Sequence, residues 1–174
     1  FCEIPYARGR ARSRVFEDII KEARVLAQAS RREIVLTGIN IGTYGHEGKE
    51  LMDVIGALED IAGIDRIRIS SIEPTTIPLE MFGRMGQGKL CRYLHIPLQS
   101  GHDDVLSAMK RKYTTGEFSH FIRSAHAQVP QICIGTDVIV GFPGETDAHF
   151  EATEVFLREE PVHYFHVFSY SQRQ

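Results

Sequence analysis

No apolar run in this sequence exceeds a few residues; Val138 to Val140 is typical. A membrane span needs ~20, so no membrane partner is expected. No basic-then-apolar leader opens the chain. There is no Gly-Lys-Ser/Thr loop, which excludes a Walker-type phosphate site. No G-x-G-x-x-G turn follows a strand-like run, and no H-E-x-x-H helix is present. Cysteine is scarce: Cys2, Cys91 and Cys133 share no short spacing, and an odd number suits no closed disulfide framework. With no export signal, a reduced, cytoplasmic compartment is expected. Positive charge is not in excess either, with 20 Lys and Arg against 23 Asp and Glu, so no global field marks a nucleic-acid binder. Internal repeats, low-complexity tracts and linkers are also missing.

What remains is ordinary globular composition. At 174 residues, 43% hydrophobic and 25% charged, the chain suits one domain with one core. Apolar residues at helical spacing predict helices over 15–29, 51–61, 78–85, 103–109, 117–127 and 148–158. Short β-branched runs predict strands at 33–38, 66–70, 93–98, 132–142 and 164–170. Helix and strand alternate, which implies βαβ units and a parallel sheet, either open or closed into a barrel. Several strands alternate in polarity instead of reading as continuous apolar runs. Leu94, Ile96 and Leu98 oppose Tyr93, His95 and Gln99. Ile67 and Ile69 oppose Arg68 and Ser70. Thr136, Val138 and Val140 oppose Asp137, and Phe165 and Val167 oppose His166 and Tyr170. One wall under helices and one polar wall fits a barrel or partial barrel with a ligand-lined interior.

Four polar turns follow the carboxyl ends of these strands: Thr37-Gly38-Ile39-Asn40, Ser71-Ile72-Glu73-Pro74, Leu98-Gln99-Ser100-Gly101 and Gly141-Phe142-Pro143-Gly144-Glu145-Thr146. Ligands bind at that face in αβ barrels, although Gly and Pro punctuate any loop. Of the eight histidines, His46, His102, His120, His126, His149 and His163 read as ordinary surface or hydrogen-bonded residues. His95 and His166 stand out on the polar strand face. Arg8, Arg10, Arg12 and Arg14 form either a solvated basic loop or a phosphate-binding one, and Lys110-Arg111-Lys112 is a smaller patch with the same two readings.

Taken in order, these segments resemble the radical-SAM core of the methylthiotransferases, the family of the MiaB, MtaB and RimO types. The resemblance covers essentially the whole chain. It rests on Phe1-Cys2-Glu3-Ile4-Pro5-Tyr6-Ala7-Arg8-Gly9-Arg10, Leu36 to Asn40, His95-Ile96-Pro97-Leu98-Gln99-Ser100-Gly101, Met109 to Tyr113, Thr136-Asp137 through Gly144-Glu145-Thr146, and Val167 to Ser171. Gly42-Thr43-Tyr44-Gly45 and Ser70 to Pro74 look like the MtaB type, which methylthiolates N6-threonylcarbamoyladenosine beside the tRNA anticodon.

The resemblance implies an α/β fold, a partial (β/α)6 TIM-like barrel of the radical-SAM type whose first strand precedes this chain. Residues 1–174 would be the radical-SAM core, cut at both ends, without the amino-terminal cluster domain or the carboxyl-terminal TRAM module. It implies S-adenosylmethionine and a 4Fe-4S cluster, with two clusters in the full-length enzyme. Cys2 matches the last of three cluster cysteines, the other two lying upstream; one thiolate holds no cubane, so this chain alone is expected to lack a stable cluster. Cys91 and Cys133 match no cluster position. From face alternation and turn position, the residues expected at cofactor are Gly38, Asn40, Glu73, Gln99, Ser100, Asp137 and Gly141, and at substrate Arg68 and His95; Arg8 and Arg10 are expected at substrate because they directly follow the cysteine that the resemblance makes a cluster ligand. The partners implied are the tRNA anticodon stem-loop and an electron donor. Competing readings are a relative acting on another tRNA adenosine or on a ribosomal-protein aspartate, a cluster-free αβ-barrel hydrolase or lyase, and an inactive RNA-binding remnant.

Overall fold

The computed structural model describes residue 7 and residues 9–172. Five parallel strands form one arc: β1 (Glu33–Leu36), β4 (Arg66–Ile69), β5 (Tyr93–His95), β6 (Cys133–Val140) and β7 (Tyr164–Ser169). β1 pairs with β4, and β5, β6 and β7 pair in that order. The two groups are joined just before β5, where the Ile67 amide donates to the Lys89 carbonyl at 2.9 Å and the Cys91 amide to the Ile67 carbonyl at 2.8 Å. A further bond from the Ile72 amide to the His95 carbonyl, 3.0 Å, closes the seam. A small antiparallel ribbon, β2 (Gly45–His46) with β3 (Lys49–Glu50), interrupts the first crossover; two residues per strand carry no periodicity for a sequence to reveal.

Among the described residues six longer helices precede or link the strands: α1 (Phe16–Gln28), α2 (Leu51–Glu59), α3 (Glu80–Gln87), α4 (Asp103–Ala108), α5 (Thr115–Gln128) and α6 (Asp147–Glu159). Their ends are chemically marked. α1 carries Glu17 and Asp18 in its first turn and stops at Ser30, whose φ of 62° is left-handed, with the Arg31 amide returning to the Leu26 carbonyl. α5 begins with a reciprocal cap: Thr114 accepts from the Glu117 amide at 3.2 Å, and Glu117 accepts from the Thr114 amide at 2.8 Å. His149 does the acid's part at the start of α6, accepting from the Thr146 amide at 3.3 Å. His102 likewise caps α4 by accepting from the Asp104 amide. His163 accepts from the Ile134 amide. Three of the histidines read as ordinary thus serve backbone groups.

The core lies between the sheet and the helices, with Ile55, Leu58, Ile67, Ile69, Leu94, Ile96, Leu98 and Phe118 fully buried. The alternation in β4 puts Ile67 and Ile69 there and turns Arg66 and Arg68 to the opposite, open face. The covered wall is not continuous, however. On β7 every residue past Tyr164 is exposed, and Phe165 and Val167, expected under a helix, are 48% and 54% exposed. β7 is the outer strand of the arc among the described residues, and α6 packs inward, onto Gly101 and the turn after β5, where Thr153 and Phe156 touch it.

Candidate active site

The open face of the arc carries a connected polar group. Glu33 (β1) bonds Arg66 at 2.7 Å and Arg68 at 3.0 Å, both on β4. The Arg68 guanidinium lies 4.8 Å from the centre of the Tyr93 ring on β5. The Tyr93 and Tyr164 hydroxyls bond each other, and Tyr164 Oη lies 3.0 Å from His95 Nδ1. His95 Nε2 is 3.0 Å from Asp137 Oδ1 on β6, and the same oxygen is 3.4 Å from His166 Nδ1 on β7. One line of contacts therefore crosses all five strands.

Register makes this possible. Gly135 and Tyr164 are partners across β6 and β7, as are Asp137 and His166. Gly135 has no side chain, so the Tyr164 ring lies over it and reaches β5; a Cβ there would sit 2.1 Å from Tyr164 Cζ. Burial, helped by the bond from Tyr93, raises the Tyr164 phenol pKa well above its ordinary value. At the other end, the hydrogen bonds from Arg66 and then Arg68 hold the Glu33 carboxyl below its usual range. His95 is buried, Asp137 is partly exposed and His166 is largely open to solvent.

The residues expected at cofactor and substrate divide into separate places. Arg68, His95 and Asp137 meet on this wall. Gln99 stands just beyond β5, bridged to Val138, with a left-handed φ of 74° and a buried Oε1 that has no hydrogen-bond partner among the described residues. Gly141, at φ 76°, starts the turn after β6, where its amide and that of Phe142 donate to Glu145. Ser100 is fully buried and its hydroxyl faces α6, 3.4 Å from Thr153 Oγ1, so its side chain serves packing. Glu73 is ion-paired to Arg111 at 2.7 Å, which draws one member of the 110–112 basic patch into the fold. Asn40 Oδ1 accepts from Thr76 Oγ1 at 3.1 Å, tying the turn after β1 to the turn after β4.

Gly38 and Asn40 also line a second space, a cleft of about 1170 Å³ along the free side of β1, together with Arg10, Arg12 and Arg14. Its floor is apolar, including Ile34, Leu51, Val54 and Leu58. Arg14 pairs with Glu22, and its carbonyl accepts from the Tyr44 hydroxyl at 2.9 Å. Cys2 and Arg8 lie outside the described residues. Sequence reasoning did not select Glu33, Tyr164 or Gly135 as site residues. Tyr164 shares the alternation that singled out His166 two positions on, which is the signal that could have found it.

Comparison with known proteins gives the following. The Radical SAM superfamily signature matches residues 1–157. The chain is 43% identical over 99% of its length to threonylcarbamoyladenosine tRNA methylthiotransferase MtaB of Bacillus subtilis, covering 39% of that protein. It is 40% identical over 99% of its length to tRNA-2-methylthio-N(6)-dimethylallyladenosine synthase of Pseudomonas fluorescens, covering 40% of that protein. The chain thus spans about two fifths of the length of these curated relatives. Among solved structures it superposes on the radical SAM enzyme coproporphyrinogen III oxidase (HemN) of Escherichia coli with a TM-score of 0.68 at 16% identity, over 91% of this chain and 37% of that one. That likeness concerns the fold, an α/β partial barrel.

Proposed function

This chain belongs to the radical SAM superfamily, and on that footing we propose that it is the core of a tRNA methylthiotransferase that adds a methylthio group to C2 of N6-threonylcarbamoyladenosine, in the cytoplasm. The observation that carries the reading is identity near 40% along the whole chain to relatives named as tRNA methylthiotransferases. The Glu73-Pro74 turn and the Gly42 to Gly45 loop support the threonylcarbamoyladenosine type.

The open wall suits a polar cofactor. Gln99 offers a buried acceptor in need of a donor, such as a hydroxyl or amino group of S-adenosylmethionine. Gly141, with open space where a Cβ would stand, leaves room for backbone to approach a ligand. Cys91 and Cys133 belong to no ligand group among the described residues; the cluster ligand this chain would contribute is Cys2, the position the resemblance matches to the cluster motif. Bound S-adenosylmethionine beside a reduced 4Fe-4S cluster supplies hydrogen-atom abstraction from an unactivated carbon. The chain's own side chains orient and shield. Arg68, clamped by Glu33 and laid on Tyr93, is a fixed cation. Asp137, shared by two imidazoles, is a fixed acceptor. The helices behind the sheet keep water from that side of the wall.

The partner proposed is the tRNA anticodon stem-loop, met by Arg10 and Arg12 at the mouth of the β1 cleft, and the reaction draws on an electron donor. The test is mass spectrometry of tRNA nucleosides from cells with and without the gene. The expected result is loss of the 2-methylthio form of N6-threonylcarbamoyladenosine. Its persistence, with loss of a methylthiolated dimethylallyladenosine or of a methylthiolated ribosomal-protein aspartate, overturns the substrate assignment and leaves the family untouched.

A further inference from the structure

The reading above uses His95, Asp137 and His166 only as wall groups, and their geometry carries more. Two imidazole nitrogens, His95 Nε2 and His166 Nδ1, converge on one oxygen, Asp137 Oδ1, at 3.0 and 3.4 Å. All three ligand atoms lie within 4.8 Å of one another. A tetrahedral ion with bonds of about 2.0–2.1 Å needs its donors about 3.4 Å apart; His166 Nδ1 already stands at that distance from Asp137 Oδ1, and His95 Nε2, at 3.0 Å, needs only a small opening of the pair to admit the ion.

The surroundings match as well. Metal-bound histidines generally give their other ring nitrogen to a fixed partner, which sets the tautomer. His95 Nδ1 has that partner in Tyr164 Oη at 3.0 Å, and Tyr164 is itself held by Tyr93 and by its seat over Gly135. With a metal on Nε2, the proton resides on Nδ1 and donates to Tyr164 Oη. The graded exposure, from buried His95 to open His166, leaves one side of the site free. Three protein ligands with an open position is the pattern of reactive, not structural, metal sites. Two nitrogens and a carboxylate oxygen select a divalent ion such as Zn²⁺, Co²⁺ or Fe²⁺ over Mg²⁺ or Ca²⁺, and the absence of a thiolate from the group distinguishes it from iron–sulfur ligation. We propose that His95, Asp137 and His166 form a mononuclear transition-metal site on the open face of the sheet, built from ligands other than the cysteines a cluster would use.

A second group, His102, Asp104 and His149, also has its ligand atoms close together. There each histidine Nδ1 is engaged by a backbone amide as a helix cap, at 3.2 and 3.3 Å, and Asp104 is highly exposed, so it serves as the control.

The experiment titrates the chelator-treated chain with Co²⁺ alone, under anaerobic conditions, and follows the visible bands, with Zn²⁺ as competitor. A Cys2→Ser version is run in parallel to remove the one thiol of the cluster motif. The expected result is one Co²⁺ per chain with nitrogen and oxygen ligand bands, no thiolate charge-transfer band in the Cys2→Ser chain, and displacement by Zn²⁺. His166→Ala and Asp137→Ala should abolish the bands, and the exposure of His166 makes misfolding of its variant no obstacle. Tyr164→Phe should weaken binding about 10-fold through the lost support of His95, and His149→Ala should change nothing. Three results overturn the proposal: no stoichiometric Co²⁺ band, binding unchanged by His166→Ala, or binding lost in His149→Ala.

Discussion

The ring of Tyr164 crosses the bare backbone of Gly135, its strand partner, and so places its hydroxyl against His95 on the next strand but one. The contact is with the far end of a side chain that can rotate. Gly135→Ala should therefore cost only about 1–2 kcal/mol, at the low end for overpacking, while expelling the Tyr164 ring. Its signature is alkaline titration. Burial and the Tyr93 bond raise the Tyr164 phenol pKa, so its neutral form contributes stability below the ordinary phenol range that is lost as pH rises through the folded value. In Gly135→Ala, absorbance of ionised tyrosine should appear at lower pH than in the parent. An unchanged titration would mean that Gly135 does not govern Tyr164.

Gly101 differs in kind. A Cβ there would stand 2.6 Å from Thr153 Cα, a backbone atom of α6 that no rotamer change can move. Gly101→Ala should cost about 3 kcal/mol or more, read as a fall in the denaturant midpoint with m unchanged. A loss under about 1 kcal/mol would show α6 free to shift.

Glu33 should show itself in acid. Its carboxyl is held below the ordinary value of 4.5 by Arg66 and Arg68, so its contribution is present above that value and is lost as pH falls through the folded one. The pair is part-exposed, so the difference in stability between the parent and Glu33→Gln should be under about 1 kcal/mol at neutral pH. It should shrink in high salt and vanish at the acid end of the transition. A gap that widens on acidification would contradict the assignment.

Arg10 and Arg12, at the cleft along β1, should contribute to RNA binding through phosphates. Replacing both with Ala should weaken binding of an anticodon stem-loop and flatten its salt dependence by about 0.7 per lost single-strand contact. A weaker complex with an unchanged salt slope would assign the two arginines to folding instead.

Among the described residues β1 has one strand partner, β4, and Val35 on it is 50% exposed. Open apolar edges pair with other chains. The 174-residue chain is expected to self-associate in light scattering, and Val35→Lys should reduce that association. A strictly monomeric parent at high concentration would end this expectation.

The order and type of nearly every main element could be read from the sequence, because helix and strand periodicities are local and each apolar stripe must meet the core. The polar alternation of 66–70, 93–98 and 132–142 also showed which side chains turn to the other wall, and so singled out Arg68, His95 and Asp137. The turn residues were less legible. Glu73 and Ser100 have the same kind of address as Gln99, yet the fold commits Glu73 to Arg111 and Ser100 to Thr153, while Gln99 keeps a buried acceptor unpartnered. Which partner a polar turn residue finds depends on chain tens of positions away. The same holds for the site itself. Gly135 and Tyr164 are unremarkable until the register of β6 and β7 sets one over the other. Asp137 and His166 meet because they are register partners on neighbouring parallel strands, about 4.8 Å apart, whereas His95, whose own partner is Gly135, reaches Asp137 diagonally across that bare position. The sequence by itself determined the main helices and strands and which side chains alternate along them; only the tertiary structure decided which faces are covered and which residues touch, since register and crossover, not local preference, set the distances between strands.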